Sequence, residues 1–217
     1  MKNKNRNSTS VAQIIDIIRD ATSDMPDPLS VKIVQEYGKD PFLILMSCLL
    51  SLRAKDTKTI VVVRKLFAIA RTPEQFVKMP LSELEKIIYS IGFYKNKARV
   101  IKQVSAQLIK EFGGVVPRTK EDLLQINGVG QKTASLVLSS AFDVPAICVD
   151  VHVHRLSNLL GLVHTKTPEE TEVALEKILP KSYWASTNEV LVKLGQNIKK
   201  VFSRLPAWMQ EKLASLV

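Results

Sequence analysis

The 217-residue chain is 46% hydrophobic and 24% charged, a balance that supplies a sizeable buried core and excludes a disordered or fibrous protein. Lys and Arg outnumber Asp and Glu by 31 to 21, giving a formal charge of +10 and a pI near 9.6, which favours a polyanionic partner such as nucleic acid over an acidic one. Two cysteines, Cys48 and Cys148, both in apolar surroundings, exclude a disulfide framework and a four-thiolate metal site.

The polar, basic start MKNKNRNSTS lacks the apolar core of a signal peptide and reads as a frayed arm. Asp40-Pro41, a cap followed by a first-turn proline, opens FLILMSCLLSLR. That run is apolar on all sides and too short to span a bilayer, so it is a central buried helix. No membrane partner is expected, and a cytoplasmic protein is. Asp56 is placed to cap the next helix, TKTIVVVRKLFAIA, whose β-branched run 60–63 could by propensity alone be a strand. Pro73, and Ser82 ahead of ELEKIIYS, start two shorter helices, with Gly92 as a left-handed stop for the second. In the helix over 94–112, Ile101, Val104, Leu108 and Phe112 form one apolar stripe. Lys97, Arg99, Lys102 and Lys110 are assigned outside it, and Gly113-Gly114 ends the helix.

Thr119 starts a short helix, KEDLLQI, which a glycine hairpin joins to QKTASLVLSSAF. The stretch DVPAICVD is extended, and Asp150 caps VHVHRLSNLL. A capping box at 167–170 opens a helix to about residue 179, and two more helices, roughly 184–203 and 206–216, finish the chain. Nothing alternates with strand period over any length, so the fold class is all-α.

The hairpin 126–132 is the first candidate site. Gly128 and Gly130 permit positive φ and let another backbone approach, and the N–H groups of Val129 to Lys132 belong to a helix N-terminus suited to hold a phosphate. A plain αα-corner satisfies the same glycine pair. Lys132, at the positive end of that helix, is expected to have a depressed pKa, which makes its neutral amine available as a nucleophile. A solvated surface lysine is the alternative. Asp150 follows an apolar run and could serve as an acid–base or electrostatic partner, or only as a helix cap.

GVGQKTA at 128–134, with VDVHVHR at 149–155 placing Asp150 eighteen residues after Lys132, together with LLSLRAKD at 49–56 and SIGFYKNKA at 90–98, resembles the endonuclease III-like helix-hairpin-helix DNA glycosylases. The resemblance spans about residues 30–197. It implies two helical lobes with the DNA-binding cleft between them: a six-helix lobe over 34–144 containing the hairpin, and a second lobe built from 1–33 and 145–217. It also implies a monomeric base excision repair enzyme that flips a damaged pyrimidine out of duplex DNA, releases the base through a Schiff base and cleaves 3′ to the abasic site by β-elimination. Damaged-base or abasic duplex DNA is then the partner, and the cytoplasm, or the nucleoid of a prokaryote, the location.

In that reading Lys132 is the nucleophile and Asp150 the carboxylate that assists base loss. Gly128, Val129, Gly130 and Gln131 grip the DNA backbone, and Lys95, Lys97 and Arg99 add phosphate contacts. Arg53 and Phe93 stand at the two wedging positions, Asp56 near the lesion pocket, and His152 as a hydrogen-bonding neighbour of Asp150 rather than a metal ligand. Departures from the pattern are Val151 for a threonine, Asn127 for a proline, and the lack of any cysteine after Cys148, with Lys199 about where the first of four cluster ligands would stand. No iron–sulfur cluster is therefore expected. Trp208, Met209, Leu213 and Leu216 of the last helix are expected to replace it by hydrophobic packing. A monofunctional glycosylase using Asp150 alone, and a non-catalytic helix-hairpin-helix DNA-binding module, are the two competing readings.

Overall fold

The computed structural model describes residues 9–217, so the frayed-arm expectation for residues 1–8 lies outside the described residues. No strand occurs among the described residues, and the run 60–63 is helical. The chain divides into two compact units, 28–146 and 1–27 with 147–217. These boundaries lie at 28 and 147 rather than 34 and 145, and the helix Leu29–Tyr37 belongs to the first unit, where it packs on Pro41–Ser51 and Asp56–Phe67.

The unit 28–146 holds eight helices, not six: α2 (Leu29–Tyr37), α3 (Pro41–Ser51), α4 (Asp56–Phe67), α5 (Pro73–Lys78), α6 (Leu81–Ile88), α7 (Tyr94–Phe112), α8 (Lys120–Gln125) and α9 (Gln131–Ala141), with α1 (Val11–Ala21) preceding them in the other unit. Helix α3 is the axis. Every residue from Phe42 to Leu50 is buried, and Asp40 caps it by accepting the N–H groups of Phe42 and Leu43 at 2.9 and 3.0 Å. Burying nine consecutive residues needs neighbours all round, and α2, α4, α7 and α9 supply them.

Three local expectations are corrected. Asp56 does not cap α4, whose N-cap is Lys55. It is the first helical residue, and its Oδ2 accepts the Leu29 N–H at 3.2 Å, closing the start of α2, where Pro28 has no side-chain acceptor to offer. Helix α6 begins at Leu81 after Pro80, ahead of Ser82, since the proline ring presets φ at −57° for the chain's entry. The left-handed residue between α6 and α7 is Phe93, not Gly92.

The second unit contains α1, α10 (Val151–Leu160), α11 (Pro168–Ile178), α12 (Lys181–Val201) and α13 (Ala207–Leu213). Ser10 caps α1 in a reciprocal box with Gln13. Thr167 accepts the Glu170 N–H, but the Glu170 carboxylate takes the N–H of Lys166, one residue before the cap, so only half of the expected box forms at α11. Ile15 and Ile18 of α1, Val153 and Leu156 of α10, Leu191 and Leu194 of α12, and Met209 and Leu213 of α13 make one fully buried core. Trp208 and Leu216 pack on its edge, so all four tail residues join this core.

Candidate active site

The hairpin between α8 and α9 is shaped by two different glycines. Gly128 has φ +93°, and a Cβ there would lie 2.9 Å from Val100 Cγ1 of α7, so backbone and packing both demand glycine. Gly130 has an ordinary φ of −100°, and nothing lies within 4 Å of where its Cβ would be. The fold itself asks for no glycine at 130, and its missing side chain leaves the start of α9 open to an approaching backbone.

Val129 departs from expectation. It is buried, and its N–H donates to the Ile126 carbonyl at 3.0 Å, so neither its side chain nor its N–H is presented outward. Gln107 of α7, which carried no sequence signal, clamps the hairpin: its Oε1 accepts the Asn127 N–H at 2.9 Å and its Nε2 donates to the Gln125 carbonyl at 3.0 Å. A proline at 127 would lack that N–H, which accounts for this departure from the pattern.

Gln131 and Lys132 are the first two residues of α9, both half-buried. Helices α3 and α9 pack together, and burial pushes the Cys48 thiol pKa up while the positive charge of Lys132 acts in the opposite direction. The charge of Lys132 is thus felt at the buried thiol of α3.

Arg53 and Phe93 are both exposed and both left-handed, at φ 53° and 58°. This conformation costs an L-residue roughly 1–2 kcal/mol, and it is tolerated here at the two positions the resemblance marks as wedges. A Cβ added to Gly92 would sit 3.5 Å from the Arg53 carbonyl oxygen, so the two loops adjoin. Lys95 and Arg99 are exposed at the start of α7.

Lys97 is not a phosphate contact. It lies four residues before Ile101, on the apolar stripe rather than outside it, is 6% exposed, and donates from Nζ to the Leu50 carbonyl at 2.8 Å. Desolvation pushes its pKa down to about 8. Asp56 is half-buried and engaged at the start of α2.

In the other unit Asp150 is half-buried at the N-cap of α10, accepting the N–H groups of His152 and Val153, both at 2.9 Å and both on Oδ1. One carboxylate oxygen is held by the helix, and Oδ2 takes neither of these bonds. Val151, beside it, is 74% exposed. Helix α12 supports this segment at two points that sequence reasoning missed. Buried Asn188 donates to the Cys148 carbonyl at 3.0 Å. Gly195, two helical turns on, makes room for the His152 ring, since a Cβ there would fall 2.2 Å from Nδ1. The expected hydrogen-bonding role of His152 fails at that atom: Nδ1 is buried and has no partner among the described residues, because the ring packs on a glycine.

Lys132, the hairpin, Arg53, Phe93, Asp56 and Lys97 therefore belong to 28–146, and Asp150 and His152 to the other unit. The residues present do not fit an iron–sulfur cluster, which needs four thiolates. Cys48 and Cys148 are both buried, one in each unit, Lys199 is an exposed lysine, and α13 fills its own place with Met209 and Leu213.

The chain is similar to known proteins. The HhH-GPD superfamily of base excision DNA repair proteins matches residues 46–181. The endonuclease III of Thermotoga maritima is 42% identical over 181 residues, covering 81% of this chain and 85% of that one. Two solved structures align at 37% identity. A non-covalent endonuclease III–DNA complex has a TM-score of 0.77, covering 86% of this chain and 84% of that one. A trapped endonuclease III–DNA covalent intermediate has a TM-score of 0.70, covering 84% and 86%. A hairpin that leaves a helix start open, a lysine in its first turn and an aspartate capping a later helix are thus found on a chain that belongs to the helix-hairpin-helix base excision repair superfamily, as an endonuclease III-like DNA glycosylase.

Proposed function

We propose that this enzyme, a DNA glycosylase with abasic-site lyase activity, acts on duplex DNA carrying an oxidised or otherwise damaged pyrimidine or an abasic site, with Lys132 as nucleophile and Asp150 as its carboxylate partner. The observation that carries this reading is the position of Lys132, in the first turn of α9 directly after a hairpin whose second glycine the fold does not need. Phosphate oxygens bound at the open N-terminus of α9 place the deoxyribose beside the amine. The Lys132 nitrogen attacks C1′, the base leaves with the electron pair of the glycosidic bond, and sugar ring opening gives a protonated imine. Loss of a C2′ proton then expels the 3′ phosphate by β-elimination. Asp150, held through Oδ1, assists base loss by activating the amine or by stabilising positive charge on the sugar.

Arg53 and Phe93 fill the space vacated by the flipped nucleotide. Arg53 offers a planar fork of donors to the orphaned base and Phe93 an apolar edge to the stack. Gly130 and Gln131 grip the backbone, and Lys95 and Arg99 add phosphate contacts. Helix α13 stabilises its unit by burying Met209 and Leu213, so deleting 206–217 lowers the melting temperature. We place the enzyme, as a monomer, with the DNA in the cytoplasm.

Borohydride reduction during reaction with a damaged duplex tests the central step. A covalent protein–DNA adduct is expected for the native chain and none for Lys132→Gln. Base release without an adduct in the native chain would assign a monofunctional glycosylase, and binding without base release a non-catalytic module.

A further inference from the structure

Lys97 is a buried cation that the mechanism does not use. It is 6% exposed, and no carboxylate is among the causes that move its pKa, which burial alone drives down to about 8. Burying an ammonium without a countercharge costs stability, and an apolar side chain of similar length would serve packing better. A reason for its presence lies in what it joins. Nζ donates to the Leu50 carbonyl at 2.8 Å, in the last turn of α3, where carbonyls lack helical partners and carry the negative end of the dipole. Three residues further on stands Arg53 at φ 53°. From its main chain, Lys97 N–H donates to the Phe93 carbonyl at 3.0 Å, closing the first turn of α7 upon a residue at φ 58° and ψ 26°. The remaining gap between the loops is a contact: a Cβ on Gly92 would lie 3.5 Å from the Arg53 carbonyl.

We propose that Lys97 is a positioning residue that fixes the spacing of Arg53 and Phe93, the two side chains that enter the base stack, and thereby sets how completely the damaged nucleotide is displaced. The assignment rests on the reading of Arg53 and Phe93 as wedges. Each wedge sits on a strained backbone in a surface loop, which by itself would relax toward ordinary φ. The ammonium ties the stem of one loop to the first turn behind the other. Lys97 touches no DNA in this role, being buried, and its effect passes entirely through the two wedges.

A mutant cycle separates this from a packing role. The probe is a duplex with 2-aminopurine opposite a tetrahydrofuran abasic analogue, whose fluorescence rises when the wedges unstack it, read beside single-turnover base release on a damaged duplex. Phe93→Ala and Arg53→Ala should each reduce both signals. Lys97→Met should reduce the fluorescence rise and slow base release by about tenfold to a hundredfold, the scale on which a displacement of about 1 Å costs rate, without weakening binding to undamaged duplex or its salt dependence. In the Arg53→Ala/Phe93→Ala background, Lys97→Met should add less than about twofold, because coupled residues are not additive. Lys97→Gln, which keeps an N–H donor, should fall between Met and the native residue, and it carries the same comparison if Lys97→Met does not fold. If the wedge substitutions leave fluorescence and rate unchanged, the wedge reading fails and takes this assignment with it. If they act but Lys97→Met does not, or acts in full in the wedge-less background, the wedge reading stands and the assignment to Lys97 is wrong.

Discussion

Helix α9 starts at a glycine that has no side chain to offer its first-turn N–H groups, whereas α10 starts at an aspartate whose Oδ1 takes two of them. Both starts follow from the same fact, that the first four N–H groups of a helix lack internal acceptors. In α9 no side chain fills this place at the helix start, and Lys132 stands in the first turn. In α10 it is filled from within, and filling it orients the carboxylate, leaving Oδ2 outside these two bonds. In the proposed reaction the start of α9 receives an anion and the start of α10 mounts one, so that reading uses one of each.

The sharpest way to break this comparison removes function from each end without removing structure. Lys132→Gln should abolish the borohydride-trapped adduct altogether. Asp150→Asn keeps an equally good N-cap, so its melting temperature should match the native chain, while base release falls by about a hundredfold to ten-thousandfold, the range for a lost general acid or base. A melting temperature that falls with the activity would reduce Asp150 to a cap.

Giving α9 the start that α10 has is the converse experiment. Position 130 has φ −100° and open space for a side chain, so Gly130→Asp should fold with unchanged or raised stability. It should weaken binding to undamaged duplex by about tenfold or more, since a carboxylate then occupies the place of a phosphate and a charge-assisted hydrogen bond is worth about 1.5–3 kcal/mol. Gly128→Ala is the contrasting control: strained φ and the 2.9 Å approach to Val100 should cost about 1–3 kcal/mol of stability. Equal behaviour of the two substitutions would erase the distinction between a glycine needed by the fold and one left for the ligand.

Gly195→Ala probes the mount behind Asp150. Its Cβ would meet His152 Nδ1 at 2.2 Å, and the main-chain N–H of that histidine is one of the two groups holding Oδ1. Turnover should fall about tenfold with duplex affinity retained, even though alanine favours helix over glycine by about 1 kcal/mol. A more stable protein with native turnover would show that the ring moves aside freely.

Much of this was legible in the sequence, for reasons that also mark where legibility ends. Caps read well because they are local: Asp40, Thr119 and Asp150 each bond an N–H two or three residues on, and each starts a helix where expected. Asp56 failed because its acceptor serves Leu29, 27 residues away in sequence. The hairpin lysine and the aspartate were singled out by the resemblance of their motifs to a known family, whereas Gln107, Asn188 and Gly195 act across helix pairs that only the fold brings together. Gly92 drew the left-handed assignment by residue type, but the strain falls on Phe93, and no local rule predicts a phenylalanine there. Lys97 was misplaced by its charge, although its spacing from Ile101 already put it on the buried stripe.

Lys97 extends the comparison to a helix C-terminus, where the end of α3 is met by a cation from another helix, and its titration gives the smallest of the expected effects. Burial lowers its pKa to about 8 from the ordinary lysine value of 10.5, so between those values the unfolded chain binds more protons than the folded one. Stability contributed through this group therefore rises with pH across that window, and below about 8 the whole cost of burying the charge is present. Lys97→Met lacks the titration. Urea unfolding of the two proteins side by side should show Lys97→Met the more stable at pH 7, with the gap narrowing from pH 8 to pH 10 as the native amine loses its proton. A gap that stays constant would mean that the ammonium is already compensated by its single carbonyl partner. The helix end would then hold the charge without the energetic tension that makes its role as a tie, rather than as packing, the better account.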